Sequence, residues 1–290
     1  MDGDRQQRIR SFVEDGTLGR WRMDLCRPRA QLAPFVSQLW YGQGQVNYRR
    51  DRILPGGGSF LLINLGPTQY RIDPGPPERR VAFDDIWLSG LQQTPIDTEA
   101  PHGSALLGVV FRGHGLRPWL HADAELVSDR TLPLTDLLGD GVLRLRDRLL
   151  ETPSVEARFV VLEDWLASRL LPRFAPSPLI DWALAAIESS DGSVGIEDLA
   201  VQAGVSRAHL SRRFRLEVGL TPKTLARVHR FRAAIDWLSR QPRIAWGELA
   251  DRCGYYDQSH LIRDFQDFSG MAPGDFIRCG KPDGGSVVVG

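Results

Sequence analysis

The run Leu199-Ala200-x3-Gly204 … Leu210-x3-Phe214-x4-Gly219-x2-Pro222 recurs further along the chain as Leu249-Ala250-x3-Gly254 … Leu261-x3-Phe265-x4-Gly270-x2-Pro273. The copies are offset by 50 residues up to the first glycine (Gly204 to Gly254) and by 51 after it (Phe214 to Phe265), so the second copy holds one extra residue in its turn. Each copy reads as a short apolar helix, a glycine turn, and a second helix whose apolar residues are four apart and share a face. That is a helix-turn-helix, the unit that carries a helix into a DNA groove, and two on one chain are placed to read two segments of one site.

At 290 residues with 42% apolar composition, the chain has the length of two ordinary domains. No stretch approaches 18 consecutive apolar residues and MDGDRQQRIR contains no signal-peptide core, so the expected location is cytoplasmic. The three cysteines (Cys26, Cys253, Cys279) have no CxxC spacing, which argues against a disulfide framework, a zinc ribbon or a dithiol centre. Formal net charge is zero, unlike a protein that coats nucleic acid, but the total hides an asymmetry. Between Ser206 and Arg232 stand eight cations (Arg207, Arg212, Arg213, Arg215, Lys223, Arg227, Arg230, Arg232) and one carboxylate, Glu217. A focused patch of this kind neutralises phosphates even on a neutral chain.

The predicted fold class is α+β: a β-rich, barrel-like N-terminal domain with a pair of helices, followed by an all-α double helix-turn-helix domain. Residues 20–120 read as short strands punctuated by Gly and Pro, such as 60–65 after Gly56-Gly57-Gly58 and 105–111 before Gly113. Leucines at helical spacing predict two amphipathic helices, Leu134 to Leu150 and Val155 to Leu171, which either cap the barrel or pair with a second copy of the chain. The expected divisions are a sensor or dimerisation domain over 1–172, a proline-marked linker over 173–178, a DNA-binding domain over 179–278 and a flexible tail over 279–290.

In the first unit Ser206 is the expected N-cap, and burial of Leu210 and Phe214 turns Arg207, Ala208, Ser211, Arg212 and Arg215 outward. Arginine donates two hydrogen bonds to guanine in the major groove, so Arg212 is the expected base reader, with Arg207 and Arg215 suited to bases or phosphates. Arg227 and Arg230 are expected to hold the DNA backbone. In the second unit the same logic exposes Gln258, Ser259, His260 and Arg263, but Asp257, Asp264 and Asp267 surround them with negative charge, predicting a smaller share of the affinity. Thr221 and Pro222 open a connecting helix running to about Arg240, ahead of Pro242, whose length approaches one DNA turn.

Taken with the connecting helix and both Gly-x-x-Pro endings, the C-terminal hundred residues resemble the DNA-binding domain of the AraC/XylS family of bacterial transcription regulators. Arg230, Ala233 and the run Gly254-Tyr255-x-Asp257-Gln258-Ser259-His260-Leu261 belong to that resemblance. The resemblance implies base contacts at Ala208, Ser211 and Arg212 and at Gln258, Ser259, His260 and Arg263, and it implies operator DNA as partner. It also implies a cupin-like N-terminal half used for ligand response or dimerisation, a role as activator, and RNA polymerase as a further partner. Runs such as Trp87-Leu88-Ser89-Gly90-Leu91 and Leu126-Val127-Ser128-Asp129-Arg130 carry that N-terminal likeness.

Trp40, Tyr41, Tyr48, Phe60, Phe83, Trp87, Phe111 and Trp119 either line an apolar ligand pocket or fill an ordinary core. No His-x-His…Glu cluster, nucleophile elbow or phosphate loop is present, so no cofactor, metal or catalytic residue is expected. Three functions follow for comparison: a DNA-binding regulator responding to a ligand, one whose N-terminal domain only dimerises, and, remotely, a DNA-repair methyltransferase dependent on Cys26.

Overall fold

The computed structural model describes residues 8–120, 122–170, 177–240, 246–282 and 284–290. Pro172, Pro242 and residues 173–176 of the expected linker lie outside these. Strands β1 (Ile9–Gly16), β2 (Gly19–Cys26), β3 (Val36–Val46), β4 (Asp51–Ile53), β5 (Ser59–Asn64), β6 (Gln69–Asp73), β7 (Arg79–Phe83), β8 (Ile86–Ser89), β9 (Ile96–Glu99), β10 (Ser104–Phe111) and β11 (Thr131–Pro133) build the N-terminal half. They form an antiparallel sheet in the order β1-β2-β3-β10-β5-β8-β11, and a second whose strands include β4-β9-β6-β7. Neither sheet closes on itself, which corrects the expected barrel to a pair of open sheets.

Period-two alternation divides the large sheet into two faces. Leu39, Tyr41, Leu61, Ile63, Leu88, Leu107 and Val109 form one buried face. Against it pack α1 (Arg117–Leu120), α2 (Leu134–Leu138), α3 (Leu143–Glu151) and α4 (Val155–Arg169) through Trp119, Leu134, Leu145, Leu149, Phe159, Leu162 and Leu166. The predicted helical pair therefore caps the sheet with its own stripe. Its first member is interrupted at Gly139, where φ is +74° and the chain restarts as α3. The register puts Trp40, Phe60, Leu62, Leu106 and Val110 on the opposite face, where all are half-buried.

The C-terminal half is helical: α5 (Pro178–Ser189), α6 (Ile196–Gln202), α7 (Arg207–Val218), α8 (Pro222–Leu238), α9 (Trp246–Arg252), α10 (Gln258–Ser269) and α11 (Pro273–Phe276). The tail then departs from expectation. Ser286–Val288 forms β12, antiparallel to β4, and completes the second sheet. Val287 is fully buried beside Leu54 in the core of the second helix-turn-helix, with Phe231, Phe265 and Phe276. Lys281-Pro282-Asp283-Gly284-Gly285 suggested a loose end, but it is followed by three valines, and β-branched residues suit a pleated, half-buried surface.

The repeated glycines perform the same task twice. Gly219 caps α7 at φ +102° and Gly270 caps α10 at φ +70°, both left-handed. At each of them the N-terminal half comes so close that a side chain would collide, with Ser128 Oγ at Gly219 and with Arg52 Nη1 at Gly270. Arg52 is held by Asp97 and donates through Nη1 to the Ser269 carbonyl at 2.9 Å, the last turn of α10. Both helix-turn-helix units thus dock through equivalent positions of the repeat.

Candidate nucleic-acid interface

In the first unit α6 and α7 pack through Leu199, Ala200, Leu210 and Phe214, with Ile180 and Leu184 of α5 beneath them. The Ser206 hydroxyl accepts from the His209 amide at 3.2 Å, fixing the start of α7. Arg207, Ala208 and Arg212 are exposed and Ser211 half-buried, so these four share one open face as expected. The cations of the patch are not equivalent, however. Arg213 donates to the buried Glu217 at 2.6 Å, and Arg117 of α1 approaches the same carboxylate at 3.7 Å. Arg215 stands 3.7 Å from Glu125, and Arg207 3.9 Å from Glu197. Among the described residues Arg212 is in neither a side-chain hydrogen bond nor an ion pair.

In the second unit Asp257 replaces Ser206 as the cap, accepting from the His260 amide at 2.8 Å. Gln258, Ser259 and Arg263 are exposed as expected. His260 is half-buried and packs edge-on against Tyr255, ring centroids 5.3 Å apart, so it is less open than sequence suggested. Tyr256, beside the N-terminus of α10, is 93% exposed, and Lys223 stands open in the first turn of α8. Lys223 belongs to the basic patch read from the sequence, whereas Tyr256 was not among the expected contacts. Tyr256 differs from its neighbour Tyr255 only in the direction the turn gives it, which residue type alone does not reveal.

Arg227 and Arg230, expected to hold the DNA backbone, have partners within the protein. Arg227 donates to Asp264 at 2.6 Å and to Asp267 at 2.5 Å, and its guanidinium lies over Phe268. Arg230 donates to the Gly254 carbonyl at 3.3 Å and lies over Tyr255. Both arginines turn into the joint between α8 and the second unit, because a fully buried Asp264 requires a cation beside it. The same geometry reduces the expected ring of negative charge: Asp257 caps α10, Asp264 is fully buried, and Arg227 of α8 is shared between Asp264 and Asp267. Burial, with the Asp264 carboxylate adding to it, also pushes the Tyr255 hydroxyl upward, so it stays protonated.

The aromatic set of the N-terminal half is split by the sheet. Tyr41, Phe111 and Trp119 belong to the core beneath the helices, whereas Trp40 and Phe60 lie on the other face. Phe83 and Trp87 pack with tilted rings, centroids 5.1 Å apart. Cys26 is fully buried, and that burial pushes its thiol up to about 11, the opposite of what a nucleophile needs. Among the described residues no three His, Cys, Asp or Glu side chains gather as metal ligands, and no helix is long and apolar enough to cross a membrane.

The architecture defines a class, that of DNA-binding proteins carrying two helix-turn-helix units on a shared connecting helix. Residues 199–278 match the family model of a helix-turn-helix domain, and residues 25–133 match a domain of unknown function (DUF6597). Residues 199–278 span both copies of the repeat, so the chain carries a helix-turn-helix DNA-binding domain. A search of curated protein sequences finds no match. Among solved structures, the C-terminal domain of AraT, a response regulator from Geobacillus stearothermophilus, is similar at 27% identity, covering 34% of this chain and 83% of that one, with a TM-score of 0.32. ToxT from Vibrio cholerae is similar at 12% identity, covering 80% of this chain and 97% of that one, with a TM-score of 0.42.

Proposed function

We propose that this DNA-binding transcription regulator reads a bipartite duplex site through the exposed faces of α7 and α10, acting as a homodimer joined through its N-terminal half. Arg212 carries the reading: it is exposed on a capped helix, has no partner among the described residues, and has Ala208 and Ser211 beside it to permit close approach to base edges. Arg263 occupies the matching place on α10. Arg207 and Arg215, whose ion pairs are long and exposed, exchange them for phosphates when DNA arrives. A small apolar effector is accommodated against the half-buried face bearing Trp40, Phe60 and Leu62, and its occupancy alters how the docked units are presented to DNA or polymerase.

Genome-wide capture of bound DNA supplies the site, and competition binding then tests the residues. Arg212→Ala and Arg263→Ala are each expected to lower discrimination between that site and random duplex by about 1–3 kcal/mol, each at a different segment. Unchanged preference in both variants would overturn the assignment. A regulator that only dimerises remains distinguishable: no apolar compound would then shift the melting temperature of the full chain. A methyltransferase finds no support at Cys26, and a methyl-transfer assay with Cys26→Ser tests that directly.

A further inference from the structure

Strand β1 is the outer strand of the large sheet, and its free edge is the longest among the described residues. The opposite edge of that sheet, β11, is three residues long and ends in Pro133. Of the eight residues in β1 only Ile9 is half-buried, while Phe12 and Val13 are 43% and 58% exposed. A bare edge with apolar side chains invites another strand, and proteins ordinarily shorten, bend or block such edges.

The hydrogen-bonding parity of this edge is fixed by its inner neighbour. Arg27 N donates to Arg8 O, and the register pairs Ile9 with Cys26 and Gly16 with Gly19. Even-numbered residues of β1 therefore exchange hydrogen bonds with β2, and the backbone groups of Ile9, Ser11, Val13 and Asp15 point to the open side. An added antiparallel strand must set its own outward residues opposite these.

A second copy of β1 meets that condition. Rotated by a two-fold axis through Phe12, it sets Ser11 opposite Val13 of the other copy and Ile9 opposite Asp15, all outward-pointing. The side chains then match as well: Arg10 faces Glu14 twice, once on each side of a Phe12–Phe12 contact, in the close non-hydrogen-bonded positions where cross-strand pairs interact most. Neither Arg10 nor Glu14 is paired with another described residue. A two-fold interface requires residue i to meet j and j to meet i, and the sequence Arg-Ser-Phe-Val-Glu is self-complementary in this sense. The helical pair, the other candidate for pairing copies, already spends its apolar stripe on the sheet.

We infer that the free edge of β1 is the self-association surface, two copies joining their large sheets into one continuous sheet across Phe12. This rests on the homodimer proposed above, and sedimentation separates the two. Wild-type full chain is expected to be dimeric at micromolar concentration. Arg10→Glu and Glu14→Arg, each placing like charges opposite one another, are expected to weaken self-association about tenfold or more. An equimolar mixture of the two single variants restores every opposite pair and is expected to dimerise like wild type. Val13→Pro removes an outward N–H while leaving the bonds to β2 intact, and is expected to give a folded monomer by circular dichroism. A monomeric wild type overturns both the homodimer and this surface. A dimeric wild type unaffected by the single variants and by Val13→Pro overturns the surface alone, as does a dimer lost in the variants but not recovered on mixing.

Discussion

Arg227 shows how a residue's role depends on what faces it. In the sequence it is one of eight cations in a patch suited to phosphates. In the fold it is 28% exposed and holds a fully buried Asp264 at the junction of α8 and α10. Burial opposes its charge, but hydrogen bonds to Asp267 and Asp264 together with the attraction of both carboxylates outweigh that and hold the guanidinium more firmly charged. Removing the cation strands a carboxylate in the core, so Arg227→Ala is expected to destabilise the chain by about 3 kcal/mol. Thermal unfolding checks the loss. The salt dependence of DNA binding, measured where the variant is folded, should be unchanged, because no phosphate contact is lost. Arg227→Met with Asp264→Leu should recover most of the stability, which a phosphate-binding role would not anticipate.

At the scale of elements, capping and edge pairing fix where the two reading helices point. Ser206 and Asp257 open the equivalent helices α7 and α10, and replacing either by alanine should cost about 1 kcal/mol, read as a lower urea midpoint. The C-terminal strand β12 has a different reach. It is bonded to β4, Gly290 just beyond it accepts from the Arg49 and Arg50 amides, and Val287 seals the second unit's core. Deleting 284–290 should therefore uncouple the second helix-turn-helix from the sheet. Hydrogen exchange should rise in β4 and α10 while the amides of β10 remain protected, and equal exchange in both proteins would show that β12 is dispensable.

Across the whole molecule, two half-buried imidazoles lie where the halves meet. His114 packs on Phe35 and faces Asp181 of α5 at 3.2 Å, while His229 of α8 lies against Gly57 before β5. Desolvation lowers both below the ordinary 6.5, outweighing the nearby carboxylates Asp181, Glu188 and Glu217 at His114, and Glu188 and Asp191 at His229. The unfolded chain thus takes up protons first as pH falls through 6.5, so stability is full above that value and declines below it until the folded imidazoles titrate. Urea midpoints at pH 8 and pH 5.5 should differ in that direction, and by less in His114→Asn with His229→Asn. The repeat itself, the Ser206 cap, the glycine turn within each unit and the outward face of Arg212 were legible in the sequence, because they depend on periodicity and local backbone preference within about twenty residues. The Asp257 cap, the burial of Asp264 beside Arg227, the inward turn of Arg227 and Arg230, the two open sheets and the return of the tail to β4 were not. Apart from the cap, each of these depends on which distant groups burial brings together, and charge and hydrogen-bonding demand in the core is met by whatever the tertiary fold places alongside, a relation that spacing along the chain does not encode.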